Sequence, residues 1–465
     1  MRLVRRTLLG ALALVLATAG VGFTVFRPDH AAQVAAGVSA QVLCSTVFIS
    51  QQPAERGASE TLPALLGPVA PLIRYDVDRD ARDVSARFGF LWAASSRFTP
   101  GYGCRLYAAS NSPLPETAST TVQQQDGFAP VDRIVAPDPS LSAAMDRVFA
   151  ESSNRAPKNV KAVVVVRDGR VVAERYASGY GVDTAVRSYS VAKSFTNALL
   201  GILVREGKLR VDQPVGAAEW QSPGDPRAAI TVEELLRMDS GLDSVETGSG
   251  SDPVSDMLYR EADMAGYAAA SRLKVSPGSE YEYTSANTLI LDRLIGNAIG
   301  GGPAGLRAFA ESELFAPLHM GGVTMEFDGR GVFVGSERVY ATPRDFARFG
   351  LLYLNDGAAP DGRRILPEGW TAWSRRSTLD TSYGAGFWTV DGSSPLSARW
   401  RRMGLPEDAF FASGNLGQRI YIVPSHKLIV ARFGISSPPA FGIEDDIALI
   451  KSAIDNEASK RSHEP

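Results

Sequence analysis

The sequence is poor in the residues that build metal sites and disulfide frameworks: its 465 residues include 2 cysteines and 4 histidines. Two cysteines cannot form a Cys-based zinc site, and the histidines are widely scattered, so neither a metal nor another cofactor is predicted. The chain also lacks a basic surplus, with 48 Lys+Arg against 51 Asp+Glu, so nucleic acid is not an expected partner. With 45% hydrophobic residues, it can bury a large globular core.

An uncharged apolar stretch lies near the N-terminus, over residues 7–26, and several arginines precede it. About 20 apolar residues suffice to cross a hydrocarbon core, and arginines before the stretch favour a cytoplasmic N-terminus. Residues 1–27 are therefore interpreted as a signal-anchor or transmembrane segment that contacts the membrane over 7–26, with the rest of the chain exported. A cleaved signal peptide, cut after the Ala-Thr-Ala of residues 17–19, is the alternative.

Export changes the interpretation of the two cysteines, Cys44 and Cys104. In an oxidising compartment the simplest prediction is one intrachain disulfide that closes a loop of about 60 residues. Two unpaired buried thiols are the alternative. In both cases the predicted role is structural, because neither cysteine has a nearby histidine to act as its base.

Composition divides the exported chain into two parts. Residues 28–135, with Pro, Ser and Gln clusters and few long periodic stretches, are interpreted as an N-terminal module with a linker, and the boundary is placed near 127–137. The second part, 136–460, opens with helical spacing and two β-rich runs joined by the Asp-Gly of residues 168–169, a hairpin signal. Two more strands over 418–434 and a final helix predict one antiparallel sheet built from both ends, an α/β (α+β) fold.

The first candidates for chemistry are Ser190 and Lys193, which stand three residues apart where helical spacing begins and therefore share one helical face. A serine hydroxyl becomes a strong nucleophile when a base removes its proton, and a lysine one turn away can do so if burial lowers its pKa. This Ser-x-x-Lys pattern resembles the catalytic motif of the serine β-lactamases and penicillin-binding proteins.

A second segment, Tyr283-Thr284-Ser285, resembles the Tyr-x-Asn element of class C β-lactamases and their esterase relatives, with Ser285 in the place of the asparagine. The resemblance implies that Tyr283 and Lys193 transfer the nucleophile's proton to the leaving group. Tyr281, two residues earlier, is the alternative tyrosine.

The third segment begins at Ala412. Aligned on two glycines with the family's Lys-Thr-Gly-x-x-Gly segment, it places Ala412 where the family has lysine. The family uses this segment as an edge strand facing the nucleophile, so the resemblance implies that the backbone N–H groups of Ser190 and Asn415 hold the oxyanion. A glycine at 414 is expected because a residue without Cβ lets a substrate approach closely. The predicted substrate-binding or supporting residues are Ser285, Ser413, Gly414, Gly417 and Gln418.

The absence of a lysine at position 412 changes which substrates are expected. A β-lactam or an acyl-D-Ala-D-Ala peptide carries a carboxylate, and a site built for it normally offers a cation. Small neutral esters or amides are therefore the expected substrates. The combined motifs resemble the branch that contains the 6-aminohexanoate-dimer (nylon-oligomer) hydrolases and related carboxylesterases. That resemblance implies a serine hydrolase with a β-lactamase-like fold, in which an antiparallel sheet flanked by helices is joined by an all-helical subdomain.

Other functions are weighed on the same residues. A D-Ala-D-Ala carboxypeptidase or β-lactamase would use the same serine on a charged substrate, and a non-catalytic cell-envelope binding protein could use the same fold. A Ser-His-Asp hydrolase is disfavoured because the sequence contains no G-x-S-x-G elbow. Its strongest histidine, His319, is interpreted as a helix-end residue.

Overall fold

The computed structural model describes residues 27–90, 92–107, 114, 139–151, 156–437 and 441–461. The predicted membrane segment 7–26 and the predicted boundary at 127–137 lie outside these residues. The α-helices of five or more residues are α1 (Pro28–Phe48), α2 (Leu62–Leu66), α3 (Pro139–Phe149), α4 (Ala192–Arg205), α5 (Val232–Arg237), α6 (Pro253–Arg260), α7 (Met264–Ala269), α8 (Ser285–Ile299), α9 (Gly302–Ala310), α10 (Pro343–Leu354), α11 (Trp370–Arg375), α12 (Pro395–Met403) and α13 (Ile443–Arg461).

The strands form three antiparallel sheets. They are β1 (Ile73–Asp78), β2 (Asp83–Phe88), β3 (Trp92–Thr99), β4 (Gly103–Leu106), β5 (Val160–Arg167), β6 (Arg170–Tyr176), β7 (Val186–Arg187), β8 (Thr324–Met325), β9 (Val339–Ala341), β10 (Trp388–Thr389), β11 (Phe410–Gly414), β12 (Gln418–Val423) and β13 (Leu428–Gly434). The strand orders are β1-β2-β3-β4, β10-β11-β12-β13-β5-β6 and β7-β9-β8. Both ends of the second module meet in the six-stranded sheet, as predicted.

The six-stranded sheet is buried on both faces by helices. In β5, Val164 and Val166 point into the core under α4 and α10, whereas Val163 and Val165 point into a second core with α3 and α13. All four valines have no exposed surface. A run of consecutive valines fits this environment because alternate side chains of a strand leave on opposite faces.

A helical subdomain, α5 to α9, packs beside the sheet and against α4. Its first helix begins with a complete capping box, in which Thr231 and Glu234 satisfy each other's backbone N–H groups. In the small sheet β7-β9-β8, β7 pairs with β9 just before the chain reaches Ser190. The predicted fold class, an antiparallel sheet with flanking helices and a helical subdomain, is confirmed.

The N-terminal module, described over residues 28–90 and 92–107, is a helix on a sheet. The helix α1 packs across β1 to β4 and also touches α6 of the helical subdomain. The sequence pattern does not reveal this helix because its apolar residues surround it instead of forming one stripe. By length and composition α1 could cross a membrane, but 78% of its most apolar stretch is buried inside the protein. That burial accounts for its apolar character.

The predicted disulfide is confirmed. Cys44 of α1 and Cys104 of β4 are bonded, with their Cα atoms 6.0 Å apart, and neither has exposed surface. Around them lie the apolar residues that join helix to sheet, among them Leu43, Leu62 and Val84. The bond therefore ties α1 to the edge strand of its own sheet.

We expect the double variant Cys44→Ala/Cys104→Ala to lower the free energy of unfolding of the chain by about 4 kcal/mol. The bond spans 60 residues, and a loop of that length removes roughly this much entropy from the unfolded chain. Urea unfolding, with and without a thiol reductant, measures the effect. The reductant should destabilise the wild type and leave the double variant unchanged; equal midpoints for all samples would contradict the expectation.

Candidate active site

Ser190 lies in the short helical turn Tyr189–Val191 that leads directly into α4. The residue before it, Tyr189, has φ of +44°, a left-handed conformation that costs a non-glycine residue about 1–2 kcal/mol. The ring of Tyr189 is buried, and the guanidinium of Arg187 lies 4.6 Å from its centroid. This packed, strained turn presents Ser190 to a pocket.

Lys193 follows one helical turn later and is 2% exposed. Its Nζ donates to Ser190 Oγ at 3.2 Å, to Ser285 Oγ at 3.0 Å and to the carbonyl oxygen of Ser336 at 3.0 Å. Burial lowers the pKa of Lys193, although nearby carboxylates, Glu246 first among them, oppose the shift. Lys193 therefore has the position and the burial that a proton acceptor for Ser190 requires.

Tyr283 stands just before α8, lines the same pocket as Ser190 and interacts with its side chain. Lys193 Nζ lies 4.8 Å from the centroid of its ring. Burial raises the pKa of Tyr283, so its ordinary state is the neutral phenol. Tyr281 packs instead on Tyr383, with ring centroids 5.8 Å apart, and its buried hydroxyl has no hydrogen-bond partner among the described residues. Of the two candidate tyrosines, the structure brings Tyr283 to the serine.

The C-terminal end of β11 lines the pocket, past Phe410 and Phe411, which pair with β10. A Cβ added to Gly414 would lie 2.3 Å from the carbonyl oxygen of Ser188 and 3.0 Å from the amide nitrogen of Ser190. The strand can approach the nucleophile's turn this closely because Gly414 has no side chain. Glycine is therefore required at 414 because the protein's own backbone approaches so closely. The expectation from the sequence considered only the approach of a substrate.

The other predicted residues of this segment fall into two groups. Ser413 and Asn415 line the pocket together with Gly414. Gly417 and Gln418 are not among its lining residues. The Gln418 amide donates to the carbonyl oxygens of Asn415 (3.0 Å) and Gly434 (2.6 Å), and it accepts from the Gly434 N–H (3.1 Å). Gln418 thus supports the turn after β11 instead of facing a substrate.

Two pocket residues, Glu246 and Glu337, escape the sequence patterns. Glu246 lines the pocket, and its Oε2 accepts the N–H of Ser285 at 2.5 Å. Tyr259 and Glu337 also line it, and the Tyr259 hydroxyl donates to Glu337 Oε2 at 3.1 Å. The sequence offers no signal for Glu246, which lies in a polar loop without periodicity.

The charges of the pocket do not favour an anion. Ala412, in the place of the family's lysine, is 1% exposed. The pocket-lining cation among the described residues is Arg419, whose Nη1 donates to the carbonyl oxygen of Phe441 at 2.6 Å and to Asp446 at 3.0 Å. Glu246 adds a negative charge, so a bound carboxylate would meet repulsion without a dedicated partner.

The chain is similar in sequence to a hydrolase and to a penicillin-binding protein. It is 27% identical over 332 residues to a 6-aminohexanoate-dimer hydrolase of Paenarthrobacter ureafaciens, covering 68% of this chain and 81% of that protein. It is 29% identical over 232 residues to Penicillin-binding protein 4 of Amycolatopsis lactamdurans, covering 43% of this chain and 59% of that protein.

A solved penicillin-binding protein homologue from Caulobacter crescentus shares the fold, with a TM-score of 0.51 at 19% identity over 70% of this chain and 98% of that one. The Beta-lactamase family itself matches residues 155–453, more than half of the chain. The chain therefore belongs to the Beta-lactamase family of serine hydrolases, in agreement with the resemblance carried by its motifs.

Proposed function

We propose that the protein hydrolyses neutral esters or linear amides through an acyl-enzyme on Ser190. The observation that carries this proposal is the buried amine of Lys193, whose Nζ lies 3.2 Å from Ser190 Oγ, with the Tyr283 side chain interacting with the same serine. An amine from the next helical turn and a phenol from a distant part of the sequence thereby meet at one hydroxyl. Such convergence is what nucleophilic catalysis by serine requires.

The reaction follows from these contacts. Ser190 Oγ bonds to the substrate's carbonyl carbon as its proton passes to neutral Lys193, and the amides of Ser190 and Asn415 receive the oxyanion. Collapse of the tetrahedral intermediate breaks the bond to the leaving group, which takes a proton from Tyr283, and Tyr283 is reprotonated from Lys193. Water then attacks the acyl carbon by the reverse proton route and releases Ser190.

Ser285 is proposed to hold Lys193 in place. Its hydroxyl accepts from Lys193 Nζ at 3.0 Å, while its N–H donates to Glu246. A hydroxyl offers fewer hydrogen bonds than the asparagine amide that the family places here. Ser285 can therefore form fewer hydrogen bonds to a substrate than an asparagine at the same position could.

The proposed substrate class follows from the charged groups of the pocket. Ala412 supplies no cation, Arg419 is engaged by Phe441 and Asp446, and Glu246 is acidic. The Paenarthrobacter relative is named for hydrolysis of an amide-linked dimer, which supports linear amides beside esters. The Amycolatopsis relative is named a penicillin-binding protein, which keeps a D-Ala-D-Ala carboxypeptidase as the second candidate.

We also propose an exported setting. The apolar segment 7–26 would anchor the chain, with residues 28–135 forming the N-terminal module and 136–460 the hydrolase domain. The Cys44–Cys104 bond supports export because disulfides persist in oxidising compartments.

A substrate panel tests the function. We expect kcat/KM for p-nitrophenyl esters to exceed that for nitrocefin at least about tenfold, since a carboxylate would lack a charge-assisted hydrogen bond. Linear p-nitroanilides and fluorescent penicillin complete the panel. Faster nitrocefin turnover would indicate a β-lactamase, and stable penicillin labelling without ester turnover would indicate a penicillin-binding protein. Failure of a fluorophosphonate probe to modify Ser190 would indicate a non-catalytic binding protein.

A further inference from the structure

The N-terminal module reaches the wall of the pocket by two routes. Leu65 of α2 lines the pocket directly, beside Ser190 and Tyr283. The second route runs through α1, which presses on the helical subdomain: a Cβ added to Gly37 would lie 2.6 Å from the carbonyl oxygen of Tyr259, another lining residue. The Beta-lactamase family match begins at residue 155, so Leu65 and Gly37 both lie outside the matched region.

Gln41, one turn after Gly37, contacts the hydrolase domain through both ends of its side-chain amide. It has no exposed surface. Its Oε1 accepts from Arg187 Nη1 at 2.6 Å, and its Nε2 donates to Glu326 Oε2 at 2.7 Å and to the Tyr340 hydroxyl at 3.1 Å. Every polar group of the amide is therefore used in binding the two modules together.

Arg187 carries this contact to the pocket. Its Nη2 pairs with Glu337 at 3.1 Å, and Glu337 in turn receives the hydroxyl of Tyr259. The same guanidinium covers the ring of Tyr189, the strained residue next to the nucleophile. Arg187 is thus fixed on one side by Gln41 and on the other supports both the pocket wall and the turn that bears Ser190.

The disulfide holds in place the N-terminal residues that begin this series of contacts. Cys44 lies one turn after Gln41 on α1, and the backbone N–H of its partner Cys104 donates to Glu326 Oε1 at 2.7 Å. Gly103 allows this approach, since a Cβ there would lie 2.6 Å from Glu326 Cγ. Glu326 therefore receives one hydrogen bond from each of the two segments that the disulfide joins.

We propose that the N-terminal module is a working part of the catalytic pocket, in which Gln41 is a positioning residue for Arg187 and Leu65 is a specificity-determining residue that contacts the substrate. The inference rests on the proposed function, because its readouts are turnover at Ser190. A buried amide bonded on both sides fixes a guanidinium better than van der Waals packing does. Loss of that bond frees Arg187 to shift, and small displacements at a reacting centre are costly in rate.

The test of Gln41 uses the purified full-length chain. We expect Gln41→Leu to lower kcat for p-nitrophenyl acetate about tenfold with little change in KM, because the turn that bears Ser190 loses support. Val38→Ala, a core substitution on the same helix, controls for loss of stability and should leave kcat unchanged. Equal kcat values for wild type and Gln41→Leu, with Ser190 still labelled by a fluorophosphonate, would overturn the role of Gln41 and leave the proposed function standing.

A conservative variant keeps the test informative if Gln41→Leu does not fold. In Gln41→Glu the side chain still offers an oxygen to Arg187. Burial raises the pKa of Glu326 to about 7, so at pH 6 its protonated carboxyl can donate to the introduced carboxylate. Relative to the wild type at the same pH, we expect kcat of Gln41→Glu to be close to that of the wild type at pH 6 and to decline toward pH 8.5. A variant equally impaired at both pH values would contradict the inference.

Leu65 is tested through acyl length. We expect Leu65→Ala to change the kcat/KM ratio of p-nitrophenyl butyrate to acetate about fourfold or more, the effect of roughly one buried methylene. Leu66→Ala is the matched control, because Leu66 packs on the module's core and is not among the pocket-lining residues. An unchanged ratio in Leu65→Ala would remove Leu65 from the substrate wall. Absence of fluorophosphonate labelling in the wild type would overturn the proposed function and this inference with it.

Discussion

Replacing Ser190 with alanine is expected to lower kcat/KM for neutral esters roughly 10⁴-fold or more, the scale seen when a serine nucleophile is removed. Lys193 and Tyr283 would keep their places, but no hydroxyl would remain to form the acyl-enzyme. Because Ser190 is only partly buried, the fold should tolerate the change. Steady-state turnover of p-nitrophenyl acetate measures the loss, and intact-protein mass spectrometry measures the acyl-enzyme or probe adduct.

The control for this experiment is Ser285→Ala, in the same pocket. That variant removes the hydroxyl that accepts from Lys193 but leaves Ser190 in place. It should react more slowly with a fluorophosphonate and still reach full labelling, whereas Ser190→Ala should show no adduct. Equal ester turnover by wild type and Ser190→Ala would refute the assignment of the nucleophile.

The sequence predicts the parts of this molecule that depend on local pattern. The hairpin at Asp168 could be found because Asp-Gly suits two consecutive left-handed residues, and both adopt positive φ, +47° and +73°. The Ser190 to Lys193 spacing could be found because a helix brings residues three apart onto one face. The cysteine pair could be found because the chain contains only those two.

The parts that escaped prediction depend on packing between distant segments. The helix α1 carries no facial pattern, since it is enclosed by its own sheet and by α6. Glu246 enters the site because its carboxylate caps Ser285, far away in the sequence. Gln41 has an ordinary polar side chain in an apolar helix, and its importance appears only when Arg187 and Glu326 are seen on either side of it.

Lys193→Met is expected to lower kcat/KM for the same esters about 10³-fold, within the range that a positioned acid–base group supplies. Methionine fills a similar volume but cannot take the proton of Ser190. In the wild type, kcat/KM should fall as the pH decreases through the lowered pKa of Lys193, because the protonated amine is no base. The variant should lack this dependence. Lys208→Met, at an exposed lysine beyond the end of α4, should behave as wild type.

The burial of Lys193 should also change how the free energy of unfolding depends on pH. This effect can be measured without an activity assay. Between the lowered folded pKa of Lys193 and the unfolded value of about 10.4, the folded state binds fewer protons than the unfolded state. The free energy of unfolding therefore contains a contribution from Lys193 that rises with pH across this window. Urea unfolding at several pH values should show this rise in the wild type and its loss in Lys193→Met. Parallel pH profiles for the two proteins would mean that Lys193 is charged in the folded state and cannot serve as the base.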